Sequence, residues 1–294
     1  MRWHQGGVFM ANRVFFLGVF SVVCALCVPL LTRSSPTPHT GPAATPSTIP
    51  PAKPGWTLTF HDEFDGSTLD RGRWIDSYPD GVRTHGDEEQ EYYAPDGYQV
   101  AAGCLHLIAR RQAEGGKPYT SGMIASFGHF AQTYGWFEIR AKFPAGRGMW
   151  PAFWLLPTDE AWPPEIDVLE ILGHQPRVVH MTNHWADGQH RQHGASWAGP
   201  DFSRDYHTFA VDWEPGLIIW YVDGVERSRS TAGVPTGPMY LIANLAVGGG
   251  WPGNPDAGTP FPGYMDIDYI RVYQKLTQPS LRPTAAAGHG IPPR

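Results

Sequence analysis

Cysteine is nearly absent, with three in the whole chain. Cys24 and Cys27 stand inside an apolar run near the N-terminus, which leaves Cys104 alone in the part that can fold. Once that run is set aside, no internal disulfide can form. Cys104, beside Leu105 and Leu107, reads as a packed and inert thiol. Basic charge is also scarce: 22 Lys and Arg against 28 Asp and Glu give a net charge of −6. That balance argues against nucleic acid as a partner and weakly against an anionic polymer. A sustained helical stripe with caps is missing, and so is any internal repeat.

What the chain does have is aromatic residues, 13 % of the sequence with 12 Trp, set among 34 Gly and 29 Pro. Part of that aromatic mass belongs in a core. The rest points to an all-β chain with long loops, and Trp and Tyr faces in such loops suit the apolar faces of sugar rings. Arg2 and Arg13 precede the apolar run Val14 to Leu31. Residues 1–33 therefore read as an export signal, either cleaved or kept as a signal anchor. Neither Cys24 nor Cys27 follows the small residue an acylation site needs. Residues 34–54 are mostly Pro, Thr, Ser and Ala, too poor in large apolar groups to fold, and form an expected linker. The tail 277–294 has the same character. Between them, 55–276 is expected to be one domain.

Strand signals recur through that domain with turn residues between them. Cys104 to Ala109, Gly135 to Lys142, Thr208 to Trp213, Leu217 to Val222 and Tyr264 to Tyr273 all read as strands. Asp223-Gly224 is a hairpin turn pair. The expected architecture is a two-sheet antiparallel sandwich.

The chemically informative segment is Glu165-Ile166-Asp167-Val168-Leu169-Glu170-Ile171-Leu172, bounded by Pro163-Pro164 and Gly173. Its short length, flanking prolines and Ile/Val content favour a strand. On a regular strand Glu165 and Asp167 share a face and Glu170 points away. One extra residue near Val168-Leu169, a β-bulge, returns Glu170 to their side. The two glutamates then stand about 13 Å apart along the backbone at roughly 3.3 Å per residue. Side chains leaning together bring the carboxyls to ~5 Å, the separation of retaining glycosidases. Asp167 between them is expected to raise the pKa of one neighbour by like charge. Such a neighbour, protonated near neutral pH, can act as a general acid. A solvated acidic sheet edge is the plain alternative on spacing alone.

Six ordered blocks around this segment resemble glycoside hydrolase family 16, and within it the laminarinase-like β-glucanases. They are Asp62 to Gly66, Thr133 to Glu138, Trp150 to Leu156, Trp213 with Trp220 to Gly224, Asn244 to Gly249, and Asp268 to Tyr273. The resemblance implies a concanavalin-like antiparallel β-jelly roll and a retaining endo-β-1,3- or β-1,3-1,4-glucanase. It implies Glu165 as nucleophile, Asp167 as its electrostatic helper and Glu170 as acid/base. It makes Trp150 a sugar platform with Trp154 packed beside it, and sets His184 in the cleft on the leaving-group side. A structural calcium held by Glu63, Gly103 and Asp268 is the only cofactor it implies; oxygen ligands suit that ion.

Trp251, in the loop Gly248 to Gly253, is a second candidate platform, and Asn244 a candidate for bonding sugar hydroxyls. The His180-x-x-x-His184 spacing would suit zinc on a helix. The alternation there favours a strand instead, with His180, Thr182 and His184 on one face beside the acids. His190 and His193 read as loop residues. The expected partner is a polysaccharide, met outside the cytoplasm by a monomer that an uncleaved leader would tether to a membrane. Depolymerisation of a substituted bacterial exopolysaccharide, sugar transfer, and glucan binding without catalysis stay open as alternatives.

Overall fold

The computed structural model describes residues 52–86 and 88–276. The expected leader and tail, and most of the linker, lie outside the described residues. Lys53, at the end of the expected linker, lays its ammonium 3.4 Å from the centre of the Trp136 ring.

Among the described residues the regular structure is sixteen strands and one 3₁₀ turn at Pro79–Gly81. The first half of the chain supplies β1 (Trp56–Asp62), β2 (Glu91–Tyr93), β3 (Tyr98–Ala101), β4 (Cys104–Ala109), β5 (Tyr119–Ser121), β6 (Met123–Ala125), β7 (Gly135–Lys142) and β8 (Met149–Pro157). The second half supplies β9 (Glu165–Ile171), β10 (Val178–Ala186), β11 (His190–Ala198), β12 (His207–Glu214), β13 (Leu217–Val222), β14 (Val225–Ser230), β15 (Met239–Val247) and β16 (Gly263–Lys275). Alternation dictates most of them: in β13 every second side chain, Ile218, Trp220 and Val222, is buried. Asp223 and Gly224 take positive φ, 50° and 72°, the twist a two-residue hairpin needs between β13 and β14.

One sheet runs β14-β13-β12-β7-β16-β4-β3, with β1 also paired to β16. The other runs β11-β10-β9-β8-β15-β6. All these pairings are antiparallel. The parallel pair β2–β5 is the departure from the expected pattern, since its three-residue strands carry no period the sequence reveals. Phe137, Ile139, Val211 and Trp220 of the first sheet share one core with Phe153, Ile166, Leu169 and Leu241 of the second. Inward-facing apolar residues of two sheets make a sandwich. Cys104 is buried too, 3.4 Å from the Tyr206 hydroxyl, with its thiol pushed up to about 12 by burial, as expected of a packed thiol.

The acidic strand carries the bulge. On β10, Glu165, Asp167 and Glu170 pair with His184, Thr182 and His180, and the register slips between Asp167 and Glu170. On β8, Asp167 faces Trp154 while Leu169 faces Phe153, so Val168 is the extra residue. Ile166, Leu169 and Ile171 thus stay in the core while all three acids face outward. The Trp220 indole crosses from the other sheet and donates to the Asp167 carbonyl at 2.8 Å, at the bulge itself.

Candidate active site

The three acids line up along the outward face of β9, but their surroundings differ. Glu165 Oε2 accepts a hydrogen bond from Trp162 Nε1 at 2.6 Å, and Oε1 lies 3.7 Å from His184 Nε2. Asp167 is 3 % exposed, and its Oδ2 lies 3.2 Å from the same ring nitrogen. Glu170 Oε1 accepts from Trp150 Nε1 at 3.0 Å.

Burial, aided by the Glu165 charge, pushes Glu170 up to about 8. Burial also lifts Asp167 well above the usual carboxylate range, with the charges of Glu165 and Glu170 adding to it. The like charge that raises Glu170 is thus Glu165, and not Asp167 as the spacing led us to expect. Asp167 sits deepest and is the neutral member, donating its proton to Glu165. At neutral pH this row holds an acid at Glu170 and a proton shared by Asp167 and Glu165.

A cleft of about 550 Å³ opens over the row. At the Glu170 end it is lined by Trp150, Trp251 and His180, whose rings meet edge to face at 5.4 and 4.8 Å. At the Glu165 end stand Trp162, His184 and His190, with Trp162 57 % exposed. Gln192, Gly194 and Ser196 of β11 line the side between them. A smaller compartment of about 100 Å³ lies on the other side of the acids, bounded by Tyr78, His85, Glu89, Trp154 and Asn244. An aromatic-ended polar trough with acids at its centre can hold a sugar chain and protonate one of its bridging oxygens.

Most expected residues meet here, with corrections. Trp150, Trp251 and His184 line the cleft. Trp154 is packed, as expected, and does not bind sugar; Asn244, a candidate for sugar hydroxyls, does not offer a free amide. Trp154 Nε1 donates to Asn244 Oδ1 at 2.8 Å, and Asn244 Nδ2 donates to the Tyr93 hydroxyl at 2.9 Å. Both residues are buried, so they shape the wall of the small compartment. His190 and His193 are strand residues, not loop: β11 begins at His190, whose Nε2 lies 2.9 Å from His184 Nδ1. The segment His190 to Ala198 has no apolar alternation, since its outer face meets solvent, and the period test fails on it.

His85, Glu89 and Trp162 were missed. His85 Nδ1 pairs with Glu89 Oε1 at 3.2 Å, and that bond raises the His85 pKa. Both lie in an aperiodic loop, where only the density of acids in Glu88-Glu89-Gln90-Glu91 was a signal. Glu91 is fully buried, and burial followed by the hydrogen bond with Glu89 lifts its carboxyl well above the normal range. Trp162 stands three residues before Glu165, a position the strand pattern does not reach.

The expected calcium ligands do not fit an ion. Arg271 binds the Glu63 carboxylate through two bonds of 3.0 and 2.6 Å, and Arg140 binds Asp268 at 2.5 Å. Each acid that would offer oxygen to a cation already neutralises a guanidinium.

Comparison with known proteins adds an independent line. The profile of "Glycosyl hydrolases family 16" matches residues 87–271. A β-glucanase of Rhodothermus marinus is 37 % identical over 251 residues, covering 75 % of this chain and 86 % of its own. An endo-1,3-1,4-β-glycanase of Rhizobium meliloti is 37 % identical over 240 residues, 74 % of this chain, which spans only 51 % of that protein. The catalytic domain of an endo-1,3-β-glucanase (laminarinase) from Thermotoga petrophila superposes with a TM-score of 0.68 at 37 % identity. That match covers 76 % of this chain and 99 % of that one.

Proposed function

This chain belongs to glycosyl hydrolase family 16, and on that footing we propose that it cleaves β-1,3- or mixed β-1,3-1,4-glucan internally, with retention of configuration. The observation that carries the reading is the outward row Glu165, Asp167 and Glu170, with Glu170 held protonated up to about pH 8. In the first step Glu170 gives its proton to the bridging oxygen while a Glu165 carboxylate oxygen bonds to the anomeric carbon from the opposite face. The glycosidic C–O bond breaks and the leaving sugar departs as an alcohol. In the second step Glu170, now ionised, takes a proton from water, whose oxygen displaces Glu165. Only carboxyls and water take part.

Asp167 and the Trp162 indole hold Glu165 by hydrogen bonds from two directions, so that its attacking oxygen is oriented before substrate arrives. Trp150 and Trp251 offer ring surface at one end of the cleft and Trp162 at the other, which suits a chain passing through rather than a chain end. Names of relatives that act on β-1,3 and on mixed linkages support a glucan backbone. The Arg-flanked apolar run Val14 to Leu31 supports action outside the cytoplasm, and fractionation of expressing cells checks that.

Two experiments test the reading. Glu165→Gln should stay folded, still bind laminari-oligosaccharide, and lose turnover about 10³-fold, roughly 4 kcal/mol of barrier. Retention of a tenth of the activity removes Glu165 as nucleophile. Glu170→Ala should recover activity with azide and yield a β-glycosyl azide. An α-azide would mean a single inverting displacement.

A further inference from the structure

Glu165, Asp167 and His184 bring three potential ligand atoms together, all within 4.8 Å of one another. His184 Nε2 stands 3.2 Å from Asp167 Oδ2 and 3.7 Å from Glu165 Oε1. Bonds of about 2.1 Å in a tetrahedron put ligand atoms about 3.4 Å apart, so these two edges already match zinc. The third edge closes by a turn of Glu165, whose side chain lines the cleft.

A second observation points the same way. Asp167 Oδ2 is sealed from solvent, is aimed at the imidazole, and accepts no hydrogen bond. An acceptor in that position lacks a cation or a donor, and such an orphan is costly. The ring is also backed as a metal-binding imidazole should be. His184 Nδ1 lies 2.9 Å from His190 Nε2. When Nδ1–H donates to His190, the Nε2 lone pair is turned toward the two carboxylates. The open side of the triangle faces the cleft, where a water or a sugar hydroxyl completes four-coordination.

We infer that Glu165, Asp167 and His184 form an inhibitory site for a zinc-like divalent cation, which sits between the two carboxyls and the imidazole. One nitrogen and two oxygens favour zinc over magnesium or calcium. Binding engages the oxygen atoms of Glu165 that must attack, so metal and substrate exclude one another. No redox step is involved.

Calorimetric titration of the full chain with zinc chloride at pH 7, in two buffers of different ionisation heat, tests this directly. One saturable site is expected, with no comparable heat from magnesium or calcium. His184→Gln and Asp167→Asn should each weaken that site at least tenfold. Absence of the site, or a smaller loss in either folded variant, overturns the inference. Should Asp167→Asn fail to fold, His184→Gln on the solvent-lined wall decides alone.

The inhibitory part rests on the glucanase reading, while the binding part does not. Zinc bound at this site by a chain with no glucanase activity overturns that reading and leaves the site. Glucan hydrolysis without the site does the reverse. Where both hold, zinc should raise the apparent KM for laminarin without lowering kcat, and a chelator should reverse it.

Discussion

Asp167 governs how protons are shared along the acidic row. It is the most sealed of the three acids, and burial lifts its carboxyl well above the usual carboxylate range beside Glu165. Asn in its place keeps a donor toward Glu165 and adds no charge near Glu170. The basic limb of the kcat/KM profile of Asp167→Asn should therefore stay within about 0.3 pH of wild type, near the value of about 8 set by Glu170. A limb displaced downward by a full unit would mean that Asp167 is ionised in the free enzyme. The three acids were legible because a Pro-bounded, Ile/Val-rich run leaves them no role in a core. Their protonation pattern was not, because it depends on depth below the surface, which spacing does not encode. His190 escaped for a related reason: its partner, His184, lies across a strand pair and not along the chain.

The element that makes the row work is β9, and its bulge is fastened from behind. The Trp220 indole spans the sandwich to reach the Asp167 carbonyl. Trp220→Phe keeps most of the core packing and removes that donor, at an expected loss of about 1–3 kcal/mol for the buried acceptor. Because the bulge also aims Glu170, kcat should fall at least tenfold under conditions where the variant is fully folded. Circular dichroism together with kcat at 25 °C separates the two effects. A destabilised variant with unchanged kcat would show that the pairing with β8 and β10 alone keeps the bulge. Strands such as β7 and β13 were legible to the residue because burial alternates along them, and β4 because a short apolar run is bounded by turn residues. β2, β5 and β11 were not, since three-residue strands and polar edge strands carry no period.

Over the whole molecule, the site costs stability. Glu170 is raised from its unfolded value of about 4.5 to about 8 in the folded chain. The folded state therefore holds a proton that the unfolded state has lost, and stability declines as pH climbs through that window. Glu170→Gln imitates the protonated form. Its melting temperature should match wild type below pH 4.5 and exceed it by at least ~3 °C at pH 8, the shift ~1 kcal/mol produces in a domain of this size. Thermal scans at the two pH values check it, and an equal gain at both would trace to packing rather than to the proton.

The place of β16 has a consequence for how this molecule comes into being. It pairs with β7 along one side and with β4 and then β1 along the other, so both halves of the larger sheet hang on it. It is also the last of the described strands to leave the ribosome. Until residue 275 has emerged, β1, β4 and β7 have no common neighbour, and the earlier strands cannot close their sheet. Translation thus delivers the keystone at the end, after some two hundred residues of partly ordered chain, and contacts so distant in sequence form slowly. A nascent chain of this design stays threadable until β16 has emerged and commits to its shape only then.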